Sequence, residues 1–143
     1  MQKHPNLWAL KEASGTLDDF RNYQLAAPKV SLYSGNDDLM PNYAVMGSKG
    51  LVSVVANVWP KATHLYVEKC LAGLGDELLP LWKYASDALF QVSNPIPAKI
   101  LLHKKQWIKS PILKPPLTHE DIQDIKQLLN MDQAIENWLG ANQ

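Results

Sequence analysis

The sequence predicts an α/β fold in which parallel strands alternate with helices, followed by an all-helical region. Three apolar runs, Leu7–Lys11, Val30–Ser34 and Leu51–Val55, predict strands that recur about every 20 residues. Leu51–Val55 is rich in β-branched residues and apolar on both faces, as is typical of a parallel strand that is covered on both sides. Helical segments separate the runs, and parallel strands require such crossovers.

The segments between the predicted strands carry signals for helices. Thr16–Asp19 resembles a capping box in which Asp replaces the usual Glu, and its carboxylates favour the positive start of a helix. This pattern predicts a helix to about Ala26, because Pro28 blocks continuation. A shorter helix is predicted through Tyr43–Val45, ending near Gly47.

After Asn57 the pattern becomes helical. Helices are predicted from Pro60 to about Ala72, from Asp76 to Phe90, from Ala98 to Gln106, from the capping-box-like Thr118–Asp121 onward, and from Asp132 to Leu139. The segment Ser110–Pro116 is rich in proline and is expected to be extended.

Composition excludes several classes of protein. The chain has 143 residues, enough for one domain, and its 14 Lys and Arg balance 14 Asp and Glu. This balance gives no electrostatic case for binding nucleic acid or an anionic membrane surface. There is no signal-peptide pattern and no apolar run that approaches a membrane helix, so a cytoplasmic protein is the default expectation. A single cysteine, Cys70, excludes an intramolecular disulfide and is interpreted as a packing residue rather than a nucleophile.

Lys11 is the residue most indicative of chemistry. It ends an apolar strand, at the point where the chain leaves the core of an α/β fold. A desolvated lysine has a lowered pKa, and its neutral amine attacks carbonyl groups to form Schiff bases. The alternative is a lysine that extends into solvent from the end of the strand.

Other polar residues follow the predicted strands, where function collects in βα folds. Asp37 and Asp38 are either acid–base groups or caps of the next helix, and Asn57 either donates to a ligand or forms a turn. Gly35 would let a substrate approach the backbone closely. No metal site or cofactor is expected, because there is no Gly-rich phosphate motif and no two histidines have metal-ligand spacing; the histidines are His4, His64, His103 and His119.

Four segments carry a resemblance to a known family. Lys11–Gly15 resembles the Schiff-base lysine segment of the dihydrodipicolinate synthase family, which are pyruvate-dependent class I aldolases with a (β/α)8 barrel. Ser34–Asp37, Gly50–Asn57 and Asn94–Lys99 resemble later signatures of the same family, in its order and spacing. The related sialic acid lyases usually carry other residues after their lysine.

The resemblance implies a fold and a site. The chain would be the C-terminal part of a TIM barrel, with about three parallel strands in 1–59, and a last barrel helix and C-terminal helical region in 60–143. Lys11 would form the imine with pyruvate, and the resulting enamine would attack aspartate semialdehyde in lysine (diaminopimelate) biosynthesis. Gly35 and the backbone of Val52 would line the pyruvate pocket.

The resemblance covers only the C-terminal half of the family's chain. The remaining half would supply five strands, the threonine pair and tyrosine of a proton relay, an arginine for the second substrate and the lysine-feedback site. We therefore expect a truncated or engineered half that is inactive alone. The chain is expected to form a homo-oligomer or to bind a complementing N-terminal half. The resemblance also implies that Leu17 and Met46 lie near a contact with another subunit.

Two other functions stay open at this point. The chain could be a non-catalytic remnant that acts as an interaction module. It could also be a sibling pyruvate aldolase of the sialic acid lyase type, with another acceptor aldehyde.

Overall fold

A computed structural model describes residues 4–142 of the chain, so the outermost residues of the predicted ranges 1–59 and 60–143 lie outside it. The fold is α/β. In chain order its elements are β1 (Ala9–Glu12), α1 (Leu17–Ala26), β2 (Ser31–Ser34), α2 (Met40–Val45), α3 (Pro60–Leu71), α4 (Leu79–Leu89), α5 (Ile96–Lys104) and α6 (Lys126–Ala141). Short 3-10 turns cover Val55–Asn57, Asp76–Leu78 and His119–Asp121.

The first two predicted strands are confirmed, and they pair in parallel. In the register of β1 and β2, Lys11 lies opposite Tyr33 and Glu12 lies opposite Ser34. The helix between them begins as predicted, since the Thr16 hydroxyl oxygen accepts a hydrogen bond from the backbone N–H of Asp19. This cap satisfies one of the free N–H groups at the start of α1.

The third predicted strand, Leu51–Val55, is wrong in its extent. Leu51 forms a single parallel bridge with Ser34, and the backbone turns helical at Val54 before the 3-10 turn. The side chain of Ser53 bonds to Asp37, so the chain leaves the ladder directly after the bridge. A high strand propensity therefore did not decide the conformation of this run, because pairing partners do.

The C-terminal helix begins later than its sequence signal. Thr118 accepts a hydrogen bond from Glu120 N–H, but it starts only a 3-10 turn, and Ile122 is extended. The Asp124 carboxylate accepts from the N–H of Lys126, where α6 starts. The helix predicted separately from Asp132 onward is the continuation of α6.

The chain divides into two compact units. One comprises the described residues up to Ser53 together with Leu65–Pro80, and the other comprises Val54–His64 together with the residues from Leu81 onward. The predicted domains 1–59 and 60–143 rest on barrel anatomy rather than on compactness, and they stay a prediction.

The first unit buries its core between the two strands and the helices that follow them. Phe20 of α1, Leu32 of β2 and Tyr43 of α2 form one cluster, in which the rings of Phe20 and Tyr43 stack with centroids 4.5 Å apart. Such stacking adds to the gain from burying apolar area. Cys70 of α3 is 2% exposed, as predicted for a packing residue.

The second unit is centred on tryptophans. The rings of Trp82 and Trp138 meet edge to face with centroids 5.7 Å apart. Trp59 is also buried, and its indole Nε1 donates a hydrogen bond of 2.7 Å to Asp132 Oδ1 in α6. A buried Trp needs such a partner for its N–H, so Asp132 fixes the position of the Trp59 ring.

Candidate active site

Lys11 lies at the carboxyl end of β1, as predicted, but its side chain is exposed. Side chains alternate along a strand, and it is the next residue, Glu12, that is buried, with 2% of its surface exposed. Within residues 4–142, β1 has β2 as its partner along one side only. The expectation of a desolvated lysine therefore does not hold for these residues alone.

Gly35 lies directly against Lys11. A Cβ atom at Gly35 would stand 2.6 Å from Lys11 Cε, 2.6 Å from Ala13 Cβ and 2.9 Å from the carbonyl oxygen of Glu12. The backbone N–H of Gly35 donates a hydrogen bond of 2.6 Å to that same carbonyl. Because no side chain fits there, the position requires glycine, and its backbone approaches the lysine stem closely.

Val52 follows on the next segment. Its N–H donates to the carbonyl of Ser34 at 2.8 Å, and the N–H of Ser34 donates to Gly50 at 2.9 Å. The Val52 side chain is 47% exposed. The structure thus brings Lys11, Gly35 and Val52 to the carboxyl ends of three consecutive segments, where a βα fold places its chemistry.

Buried polar groups form hydrogen bonds with the turn that follows Lys11. Glu12 Oε1 accepts a 2.6 Å hydrogen bond from the N–H of Ser14, and Glu12 Oε2 is buried without a hydrogen-bond partner among the described residues. The Tyr43 hydroxyl donates to the carbonyl of Thr16 at 3.2 Å. Burial and the neighbouring Glu12 carboxylate raise the pKa of Tyr43 above its ordinary value, so it stays a neutral donor. These contacts fix the turn that directly follows β1 and Lys11.

Two of the other predicted polar residues, Asp37 and Asn57, have structural partners. Asp37 is 2% exposed and accepts from the hydroxyl of Ser53, and it does not cap α2, whose N-cap Leu39 has no side-chain cap bond. Asn57 Nδ2 donates to the carbonyl of Val54 at 3.0 Å, which agrees with its predicted role in a turn.

Sequence reasoning missed two residues near this site. The sequence pattern places Ser53 within a strand and Tyr66 within a helix, and it indicates no role for either at the site. In the structure the Tyr66 hydroxyl donates to the carbonyl of Asp37 at 3.0 Å. Ser53 lies 16 residues from Asp37 and Tyr66 lies 29 residues from it, so no local pattern links them. A polar residue within an apolar run was the only available signal, and Ser53 gave it.

The described residues contain neither a cluster of potential metal ligands nor a helix that could span a membrane. No group of three or more His, Cys, Asp or Glu side chains in residues 4–142 is arranged to hold a metal ion. In the same part of the chain, every helix is too short or too polar to cross a bilayer.

Sequence comparisons identify relatives. A model described as the dihydrodipicolinate synthetase family matches residues 1–134. A 4-hydroxy-tetrahydrodipicolinate synthase of Francisella tularensis subsp. novicida is 42% identical over 139 residues, which are 96% of this chain and 47% of that protein. A protein of the same name from Wolbachia pipientis is 38% identical over 138 residues, with the same coverage of 96% and 47%. The chain spans about half the length of the curated relatives it matches.

Solved structures agree with this result. A dihydrodipicolinate synthase of Cyanidioschyzon merolae with lysine bound is 31% identical with a TM-score of 0.76, over 92% of this chain and 46% of that chain. A dihydrodipicolinate synthase of Acinetobacter baumannii complexed with pyruvate is 26% identical with a TM-score of 0.75, over 97% of this chain and 47% of that chain. These neighbours are TIM-barrel enzymes.

Proposed function

We propose, from the premise that this chain belongs to the dihydrodipicolinate synthetase family, that it supplies the imine-forming part of a pyruvate-dependent lyase of lysine biosynthesis. The substrates would be pyruvate and aspartate semialdehyde. The observation that carries the proposal is the contact between Lys11 and Gly35. The absence of a side chain at Gly35 lets the stem of Lys11 pack directly against its backbone, and this contact holds the amine at the strand end beside the backbone that would line the ketoacid.

The chemistry begins with the neutral amine of Lys11. Its nitrogen attacks the carbonyl carbon of pyruvate, one proton is taken up from solvent, and the carbonyl oxygen leaves as water, so that a protonated imine forms. The imine withdraws electrons from the neighbouring methyl group, which loses a proton and gives an enamine. The enamine carbon then bonds to the aldehyde carbon of aspartate semialdehyde, the aldehyde oxygen takes up a proton, and the protonated imine re-forms on Lys11. Attack on the imine carbon by water or by the amine of the condensed product then breaks the bond to Lys11 and frees its amine. Gly35 and the Val52 backbone would line the ketoacid.

The architecture needed for this reaction is larger than residues 4–142. We propose that β1, β2 and the Leu51 bridge correspond to three neighbouring strand positions of a (β/α)8 barrel. A further segment or chain would cover Lys11 and exclude water, which raises the amine's reactivity and protects the imine from hydrolysis. It would also supply the acid–base groups of the condensation step. The assembly would be a homo-oligomer or a complex with such a complementing half.

Borohydride trapping tests the proposal. The 143-residue chain is incubated with labelled pyruvate and sodium borohydride, with and without a separately made N-terminal half of a relative, and its peptides are mapped by mass spectrometry. We expect label on Lys11 and on no other lysine. Lys11→Ala and Lys11→Arg should both abolish it, because alanine has no amine and a guanidinium stays protonated. Label on another lysine, or label that persists in Lys11→Ala, would overturn the assignment.

A further inference from the structure

Asp37 occupies an unusual position for a charged residue. It is 2% exposed and lies two residues after Gly35, one wall of the proposed ketoacid pocket. Its carboxylate Oδ1 accepts a hydrogen bond of 2.5 Å from the hydroxyl of Ser53. Ser53 directly follows Val52, the other wall of that pocket. One short, charge-assisted bond therefore joins the segments on both sides, and such bonds are stronger than neutral ones.

Asp37, the acceptor of this bond, is also held through its backbone. The hydroxyl of Tyr66, a fully buried residue of α3, donates to the carbonyl oxygen of Asp37 at 3.0 Å. Burial raises the pKa of Tyr66 above its ordinary value, so the phenol remains a donor at neutral pH. Asp37 is thus held through its backbone by a helix while its side chain holds Ser53.

The segment that Asp37 holds has little strand pairing of its own. Leu51 forms only an isolated bridge with Ser34, and the Val52 side chain is half exposed. The bond from Val52 N–H to Ser34 is followed directly by the bond from Ser53 to Asp37. Beyond Ser53 the backbone turns helical at Val54.

We propose that Asp37 is a positioning residue, which sets the backbone of Val52 opposite Gly35 through its bond to Ser53. This inference rests on the proposed function, because it concerns the same ketoacid pocket. Asp37 touches no reacting atom in this role. Loss of the bond lets the Val52 backbone move away from its position opposite Gly35, so that the pocket binds pyruvate less tightly.

The test separates a positioning role from a structural one. Trapping by borohydride is measured against pyruvate concentration for the 143-residue chain, with the N-terminal half of a relative where that half is needed, and for Ser53→Ala, Asp37→Asn and Ser53→Thr. We expect Ser53→Ala to raise the half-saturating pyruvate concentration about 10-fold while the maximal trapping rate changes less than about twofold, as loss of one charge-assisted bond implies. Ser53→Thr keeps the hydroxyl and should restore the affinity.

Two further measurements keep the result interpretable. Ser93→Ala, at an exposed serine of the second unit, is the matched control and should not change the half-saturating concentration. Amide hydrogen exchange of Val52, followed by NMR without pyruvate, should be faster in Ser53→Ala. An unchanged half-saturating concentration or an unchanged Val52 exchange rate would overturn the positioning role.

If the wild-type chain traps no pyruvate, the proposed function fails, while the exchange rate still tests the Asp37–Ser53 link. Should Asp37→Asn fail to fold, Ser53→Ala alone decides, because Ser53 is only half-buried.

Discussion

The ammonium group of Lys105 lies 2.6 Å from the Asp132 carboxylate, and this contact joins α5 to α6. Lys105 also lies 2.8 Å from Glu136 and 5.3 Å from the centroid of the Trp107 ring. Asp132 accepts from the indole of Trp59 through the same oxygen. One carboxylate thus serves a cation and a buried aromatic ring at once.

Because of this network, the free energy of unfolding should depend on pH in the alkaline range. Burial opposes the charge on Lys105, but hydrogen bonds to Asp132 and Glu136 hold its pKa above the ordinary 10.5. A pKa that is raised in the folded state stabilises the protein fully below the unfolded pKa and ceases to do so as pH rises through the folded pKa. We expect the free energy of unfolding in urea to fall more steeply above about pH 10.5 for the wild type than for Lys105→Gln. Parallel curves for the two proteins would contradict this expectation, since tyrosines titrate in both.

Removal of Asp132 should destabilise the chain at neutral pH. Asp132→Ala leaves the Trp59 indole and the largely buried Lys105 ammonium without this acceptor, and we expect a loss of about 2–4 kcal/mol. Asp87→Ala is the matched control, because Asp87 pairs with Lys83 on an exposed helix face, where both side chains are about half exposed. Its cost should stay below about 0.5 kcal/mol. Equal losses for the two variants in urea unfolding would count against the network.

Gly35→Ala should disrupt the candidate site. The new methyl group would stand 2.6 Å from Ala13 Cβ and 2.9 Å from the Glu12 carbonyl, and neither atom is the end of a flexible chain. We expect a loss of about 1–3 kcal/mol from overpacking, together with loss of pyruvate trapping on Lys11. Gly140→Ala is the control, since a Cβ at Gly140 meets no atom within 4 Å, and it should be neutral or slightly stabilising. A Gly35→Ala protein with wild-type stability and trapping would remove the argument for a close approach.

Local signals predicted the elements that local contacts build. Thr16 and Asp19 lie three residues apart, and their cap fixed the start of α1 as expected. The prediction of the third strand was wrong in its extent, since Ser53 bonds to Asp37, a partner 16 residues away that no local pattern reveals. The exposure of Lys11 likewise depends on what lies beside β1, which a single strand's sequence does not encode.

The 143-residue chain alone should have negligible synthase activity. General acid–base groups typically contribute about 10²–10⁴-fold. The family resemblance implies that the proton-relay residues lie in the part of the family's sequence that this chain does not match. A coupled assay with pyruvate and aspartate semialdehyde should show turnover only after a separately made N-terminal half of a relative is added. Lys11→Ala with the same half is the control. Turnover by the chain alone at the rate of a full-length relative would show that it contains a relay of its own.

The chain should associate through its strands. Within the described residues the sheet consists of β1 and β2 with the Leu51 bridge, so β1 presents an edge, and Trp8 beside it is 71% exposed. Unpaired edge strands recruit another chain, and lysines on the edge discourage pairing. β1 already carries Lys11, and Trp8→Lys removes the exposed apolar ring and adds a second charge beside it. We expect the sedimentation coefficient to rise over a concentration series, and Trp8→Lys to reduce that rise. Leu74→Lys is the control, because Leu74 is 63% exposed but lies outside the strands. A stable monomer at high concentration, with amides of β1 protected from exchange, would contradict the prediction and mean that the edge is already covered within the chain.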